Sequence, residues 1–403
     1  MNARRFSVLL ALAVCATATT AEAAVIRVSP GESIQAAIDM ASPGDTILVE
    51  PGVYQETGNA DFGLHITTDN LRLIGKVNRG QGEAGKVRLL QFGTQFTGVY
   101  AAPAGCGPKV GVGECPDELQ GFEIRGFTVE DFKGNGIQTR FVNGFKMIRN
   151  ESARNGGGEG GNGNGIYPTI SANGLVQSNV SYGSKDTAMW VAASENVRVI
   201  GNEVYDSVIG LEISVSNNVL VKQNEIYDNT VGVGLFHPNA AGNAQLPVME
   251  NWVIQQNNIY NNNRPNDAPG GSFQQGLPQG VGVLLLGVSN HVIAKNTVSD
   301  NDFVGIAVLG WCTATATGDP SRNCINDPPQ ADPSTNNNLV SQNWVNGNGL
   351  NPPPGPLAGL AADITHFSLV EPSSGNCYEK NKPKDGFSFV SSEPDGELPT
   401  DGC

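Results

Sequence analysis

Two consecutive stretches of this chain align without a gap at an offset of 22 residues. Residues 189–210 read MWVAASENVRVIGNEVYDSVIG, and residues 211–232 read LEISVSNNVLVKQNEIYDNTVG. Asn202 matches Asn224, Glu203 matches Glu225, Tyr205 matches Tyr227, Asp206 matches Asp228 and Gly210 matches Gly232. A fixed self-similar period of this size signals a repeat architecture. Inside each unit the apolar residues alternate, as in Val197 and Val199, Val219 and Val221, and Leu211 and Ile213. Period two in short runs means strands. A helical repeat would need a 3.6 period and longer Ala/Leu-rich segments.

Each unit therefore reads as one coil of a solenoid, with about three short strands joined by tight turns. Successive coils stack at roughly 4.8 Å, so each strand pairs in parallel with its own equivalent one coil away. An asparagine recurring at one turn then hydrogen-bonds up and down the stack. Asn150, Asn179, Asn202, Asn224, Asn257, Asn296 and Asn343 form that row. Their spacings are 29, 23, 22, 33, 39 and 47 residues, and the excess over 22 must lie in loops.

The NEVYDSVIGLEIS and NEIYDNTVGVGLF units, with the opening SIQAAIDMASPGDTILVEPGVYQE at Ser33–Glu56, resemble the right-handed parallel β-helix proteins of the pectin-lyase-like superfamily. The resemblance implies an all-β, right-handed, single-stranded parallel β-helix over nearly all of the mature chain. It is specific for fold and silent on activity, because lyases, hydrolases, epimerases, esterases and binding proteins share the frame.

Residues 1–23 read as a secretory signal. Arg4 and Arg5 precede the apolar run Ser7–Ala18, and Ala21-Glu22-Ala23 is a small-x-small cleavage site. Val14 before Cys15 argues against a lipoprotein signal. The run is too short to span a membrane. No second apolar segment follows, so membrane insertion is not expected. Removing residues 1–23 takes two basic and one acidic residue away and moves the net charge from −15 to −16. Such a chain is a poor partner for nucleic acid or anionic membranes. It also disfavours a polyanionic ligand unless cations are concentrated locally. A polysaccharide ligand, a monomeric state, and a secreted or periplasmic location are the expectations.

The six cysteines left are Cys106, Cys115, Cys312, Cys324, Cys377 and Cys403. An even count in an exported protein suggests disulfides. Among the possible connectivities, the sequence neighbours 106–115, 312–324 and 377–403 each close a loop outside the repeat and are favoured. No CxxC or Cys/His spacing supports a metal site instead.

Along the chain, Val25–Val28 reads as a first strand and Ser33–Ala41 as a short amphipathic helix capped by Ser33. Solenoid ends expose unpaired edges, and this helix is placed to cover one. The β-helix domain is expected over 24–349. Residues 350–403, rich in Pro, Gly and Ser, read as an irregular C-terminal cover pinned by Cys377 and Cys403, with one strand-like run at Ile364–Val370.

Four insertions, at 156–164, 238–250, 264–279 and 312–336, flank the same strand of the coil, the one beginning Gly-[Ile/Leu/Val]. Loops raised on both sides of one sheet make a cleft over it, and in the resembled superfamily polysaccharides lie on that sheet. Alternation turns His65, Gln138, Tyr167, Trp190, Glu212, Gly234, Leu284 and Ala307 outward there. Arg140, Thr169, Ala192, Ser214, Phe236, Leu286 and Leu309 form a second outward column. A one-residue register error would invert both.

Tyr167 and Trp190, on adjacent coils, suit the apolar faces of sugar rings; packing under a loop is the ordinary alternative. Glu212 and Asp186 are candidate acids or bases, against a solvated strand carboxylate and a polar turn. Lys185 sits in the turn before Trp190, His237 ends a strand at a loop base, and Arg140 and His65 lie toward the N-terminal end. A lone histidine is more often structural. Leu284, Leu286 and Leu309 are expected beneath loops.

Elimination from a uronate needs a neutralising cation and a base, for which Arg140, Tyr167, Lys185 and His237 are candidates. Hydrolysis needs two carboxylates, and only Asp186 and Glu212 are near each other. Mannuronan epimerases carry Gly-Ile-Asp-Pro-His-Asp on an equivalent strand, where this chain has Gly165-Ile166-Tyr167-Pro168-Thr169-Ile170. Asp319, Asp327 and Asp332 offer oxygens for calcium, though their spacing matches no calcium-loop signature. The expectation is a carbohydrate-binding β-helix with lyase-type activity. A non-catalytic envelope or surface rod is the alternative.

Overall fold

A computed structural model describes residues 22–403, apart from 79, 158–162, 242–248, 319–323, 325–327, 330, 372 and 383–385. Residues 1–21 of the expected signal, and Asp319 and Asp327 of the expected calcium loop, lie outside the described residues. Among the described residues, no group of three or more His, Cys, Asp or Glu is placed to hold a metal ion. No helix among them is long and apolar enough to cross a membrane.

Every strand pairing is parallel, and the described strands form three sheets. The twelve-stranded sheet runs from Val25–Val28 to Cys377–Glu379, and the ten-stranded sheet from Gly52–Tyr54 to Trp344–Asn346. The eleven-stranded sheet, which carries the insertions, runs from Phe62–Ile66 to Phe389–Ser391. One coil visits all three, as in Glu195–Ile200, Glu203–Tyr205 and Ile209–Ser214. Val197 pairs with Val219 and Val199 with Val221. The alternating apolar residues stack inward into one continuous core, including Leu211, Ile213, Val233 and Leu235 at 0% exposure.

The asparagine row is intact. Each buried amide donates from Nδ2 to the Oδ1 of the next coil, at 3.1 Å for Asn150–Asn179, 2.9 Å for Asn202–Asn224 and 3.0 Å for Asn296–Asn343. It runs one rung further than expected, to Asn381. A second buried row, Asn229, Asn262, Asn301 and Asn348, follows the turn into the eleven-stranded sheet.

The first helix spans Ile34–Met40, with the Ser33 side chain accepting from Ala36 N at 3.0 Å. Ile34, Ala37 and Ile38 are buried against the first coils. The disulfides join Cys106 to Cys115, Cys312 to Cys324 and Cys377 to Cys403. The C-terminal segment is more regular than its composition suggests. Ala362–Phe367, Cys377–Glu379 and Phe389–Ser391 continue the sheets.

Candidate functional site

The eleven-stranded sheet keeps the outward register read from the sequence. Trp190 pairs with Glu212, and Glu212 with Gly234, while Ala192, Ser214 and Phe236 form the neighbouring column. One rung is added, since Tyr100 stands between His65 and Gln138.

Four expected residues come together. Tyr167 and Trp190 stack with ring centroids 4.6 Å apart and planes 8° off parallel, both half-buried. Each covers the inner face of the other, so the pair offers a ligand its edges and outer faces rather than two open platforms. Beside them Asp186 and Glu212 are only 3% and 2% exposed. Thr187 Oγ1 lies between them, 3.1 Å from Asp186 Oδ1 and 2.9 Å from Glu212 Oε2.

A hydroxyl has one proton to donate. Thr187 is the donor toward both carboxyls and can satisfy only one of them at a time. The other is left without that donor, which favours a proton on the pair. Burial pushes Asp186 up to about 7. Burial, and then the charge of Asp186, pushes Glu212 well above the usual carboxylate range. Two like charges buried this closely do not both ionise near neutral pH.

Three residues that the sequence did not single out complete the network. Thr187 bridges the acids. Ser214 bonds Glu212 and accepts from Trp190 Nε1 at 2.8 Å. Gln274, from the 264–279 insertion, bonds Asp186. Ser214 stood in the second outward column, so its place was legible. Gln274 was not, because it reaches the acids only through the path of its loop.

The other candidates lie elsewhere or are already engaged. Lys185 forms an ion pair with Asp267. Asp267 also bonds Arg264 at 2.8 Å, and Arg264 Nε bonds Asp206 at 2.8 Å. This chain of ions ties the insertion to the coil turns. Arg140 Nε donates to Val110 O at 3.1 Å, in the Cys106–Cys115 loop. His237 is buried, accepts from Asn239 N at Nδ1 and stacks on Trp311 at 5.0 Å, away from the acids. His65 packs with Phe62 and Tyr100 near the N-terminal helix, four rungs before Trp190. Burial lowers the pKa of both histidines. Burial also raises the Tyr167 phenol to about 12, so it stays protonated at neutral pH. Leu284 and Leu286 lie beneath the inserted loops, as expected.

Comparison with curated proteins by sequence returns no match. Among solved structures, the Azotobacter vinelandii mannuronan C-5 epimerase AlgE4 A-module is similar at TM-score 0.55 and 16% identity, over 86% of this chain and 90% of that one. The AlgE6 A-module of the same organism gives 0.55 and 17%, over 90% and 94%. The Dettilon tailspike protein gives 0.52 and 13%, over 87% and 63%. Identities this low speak to the path of the chain and not to its chemistry. The sequence model described as "Right handed beta helix region" matches residues 110–243 and 159–320, over half of the chain. The coils, the asparagine rows and that match agree, and the chain belongs to the family of proteins with a right-handed β-helix region.

Proposed function

We propose that this is an exported carbohydrate-active protein that binds a polysaccharide along the eleven-stranded sheet and acts on it with the Asp186–Glu212 pair. The observation that carries the reading is a pair of buried acids that share one hydroxyl, Thr187 Oγ1, beside an aromatic stack. Acid–base work on a glycosidic bond needs one carboxyl protonated and one ionised. The pair meets that need near neutral pH. Burying two acids without a cation is costly, and a rod with no chemistry to perform gains nothing from it. Gln274 must swing aside for a sugar to reach the acids. Three disulfides support export.

A neutral sugar suits the site better than a uronate. Two acids repel a uronate carboxylate, Lys185 and Arg140 are engaged elsewhere, and Tyr167 holds its proton. The elimination expected from the sequence therefore finds less support than hydrolysis or transfer.

The test is a panel of neutral and uronate polysaccharides, followed by both new reducing ends and the absorbance of unsaturated products. Reducing ends from a neutral glycan are expected, falling by about a hundredfold or more in Glu212→Gln. Trp190→Ala should weaken glycan binding by about 1–2 kcal/mol, roughly five- to thirtyfold in Kd. Unsaturated products from a uronate would restore the lyase reading. Binding without products would favour the non-catalytic one. A Trp190→Ala protein that melts lower but binds unchanged would mean that the ring is only packing.

A further inference from the structure

Farther along the same sheet lies a cavity of about 430 Å³ that the sugar reading does not use. Its floor continues the outward columns through Leu284, Leu286 and Ala307. Its walls come from separate segments. Phe273 stands on the 264–279 insertion, Trp311 on the helix Trp311–Gly318, and Phe367 on a C-terminal strand. At about 4.8 Å per rung, Leu284 and Ala307 lie roughly 10–14 Å beyond Glu212. The Phe236 ring, lying over Gly234 and edge to face with Phe273 at 5.3 Å, stands between the two sites.

The size and lining of the cavity select a ligand. Interiors rarely leave voids larger than a water molecule, and ligand pockets run to roughly 300–1,000 Å³. None of the described lining residues is charged. The threonine hydroxyls at its edge already donate within the protein. Thr313 donates to Glu371 at 3.0 Å, Thr315 to Trp311 O at 2.9 Å and Thr365 to Leu360 O at 2.7 Å. A sugar ring buried against Phe273, Trp311, Phe367 and the leucines would leave most of its hydroxyls facing apolar surface, which is penalised. Among the described lining residues a charged group would meet no opposite charge.

We propose that this cavity is a second binding site, for an uncharged apolar group of the acyl or aryl class. The group arrives either on a free small molecule or as a substituent of a glycan lying along the sheet. Burial of its apolar surface against Phe273, Trp311 and the leucines supplies the affinity.

The probe is N-phenyl-1-naphthylamine, which is neutral, aromatic and free of sugar. Its result is therefore independent of whether the acids cleave a glycan. Wild-type protein should enhance its fluorescence saturably, with one site per chain. Two substitutions fill the cavity, Ala307→Phe on the floor and Thr315→Trp on the wall helix. Each should weaken binding at least tenfold at an unchanged melting temperature, and Trp190→Ala should bind as the wild type does. If Ala307→Phe misfolds, Thr315→Trp still decides. No saturable binding, full binding in both filled variants, or equal loss in Trp190→Ala overturns the proposal. Competition then separates the sources. Displacement by a butyrylated neutral oligosaccharide and not by its saponified form places the group on the glycan. Displacement by butyl butyrate alone indicates a free ligand, and displacement by neither overturns the site.

Discussion

At Asp186 and Glu212 a single hydroxyl, Thr187 Oγ1, touches both acids, so their titration is a property of the pair. Burial holds Asp186 at about 7 in the folded chain, above the ~3.9 of an unfolded aspartate. Between those values the folded state keeps a proton that the unfolded state releases. The resulting stabilisation is complete below the unfolded pKa and is lost as pH rises through about 7. The four histidines act oppositely. Burial lowers His65 and His237, His291 to about 3 and His366 to about 4, so they favour the folded state increasingly as pH rises to the ordinary histidine range. The difference between wild type and Asp186→Asn removes this common background. The variant should gain on the wild type by about 1–3 kcal/mol between roughly pH 5 and 8, read from melting curves at each pH. A difference that stays flat with pH would mean that the pair does not hold the extra proton.

The turns hold the coils in register. Asn224 Nδ2 donates to Asn257 Oδ1 and to Val199 O, and its Oδ1 accepts from both Asn202 N and Asn202 Nδ2. Asn224→Ala strands several buried polar groups at once and should cost about 3–5 kcal/mol in denaturant titration. Asn218, a few residues earlier, sits in an exposed asparagine row and takes φ 51°. Asn218→Ala should cost only about 1 kcal/mol, mainly from the left-handed backbone. Equal costs would mean that burial does not set the strength of the row. The same logic orders the half-buried rings Tyr182, Tyr205, Tyr227 and Tyr260, stacked 4.9, 5.2 and 5.3 Å apart. Tyr205 and Tyr227 are covered on both faces, and the end rings Tyr182 and Tyr260 on one.

Across the whole molecule two disulfides close short segments outside the coils, with separations of 9 and 12 residues, and the third, over 26 residues, ties the last strands Cys377–Glu379 and Phe389–Ser391 to the chain end. Each should contribute on the order of 2–4 kcal/mol, spent on local loop order. Reduction should therefore leave the far-ultraviolet spectrum of the parallel sheets intact while speeding backbone exchange in residues 106–115, 312–324 and 377–403. Loss of the sheet spectrum on reduction would show that the bridges hold the solenoid itself.

The sequence by itself determined the solenoid, its parallel pairing and the outward columns. It could do so because a repeat writes each coil's contacts into a fixed offset. Val197 meets Val219, and Asn202 meets Asn224, at the 22-residue period that their letters show. What tertiary structure decided lies in the insertions, which have no period. Gln274 reaches Asp186, Lys185 is drawn to Asp267, Trp311 covers His237, and Phe273 walls a cavity only because aperiodic loops fold back over the sheet. Alternation says which way a strand residue points. It does not say what descends upon it, and burial by that covering chain raises the pKa of the acids at the site.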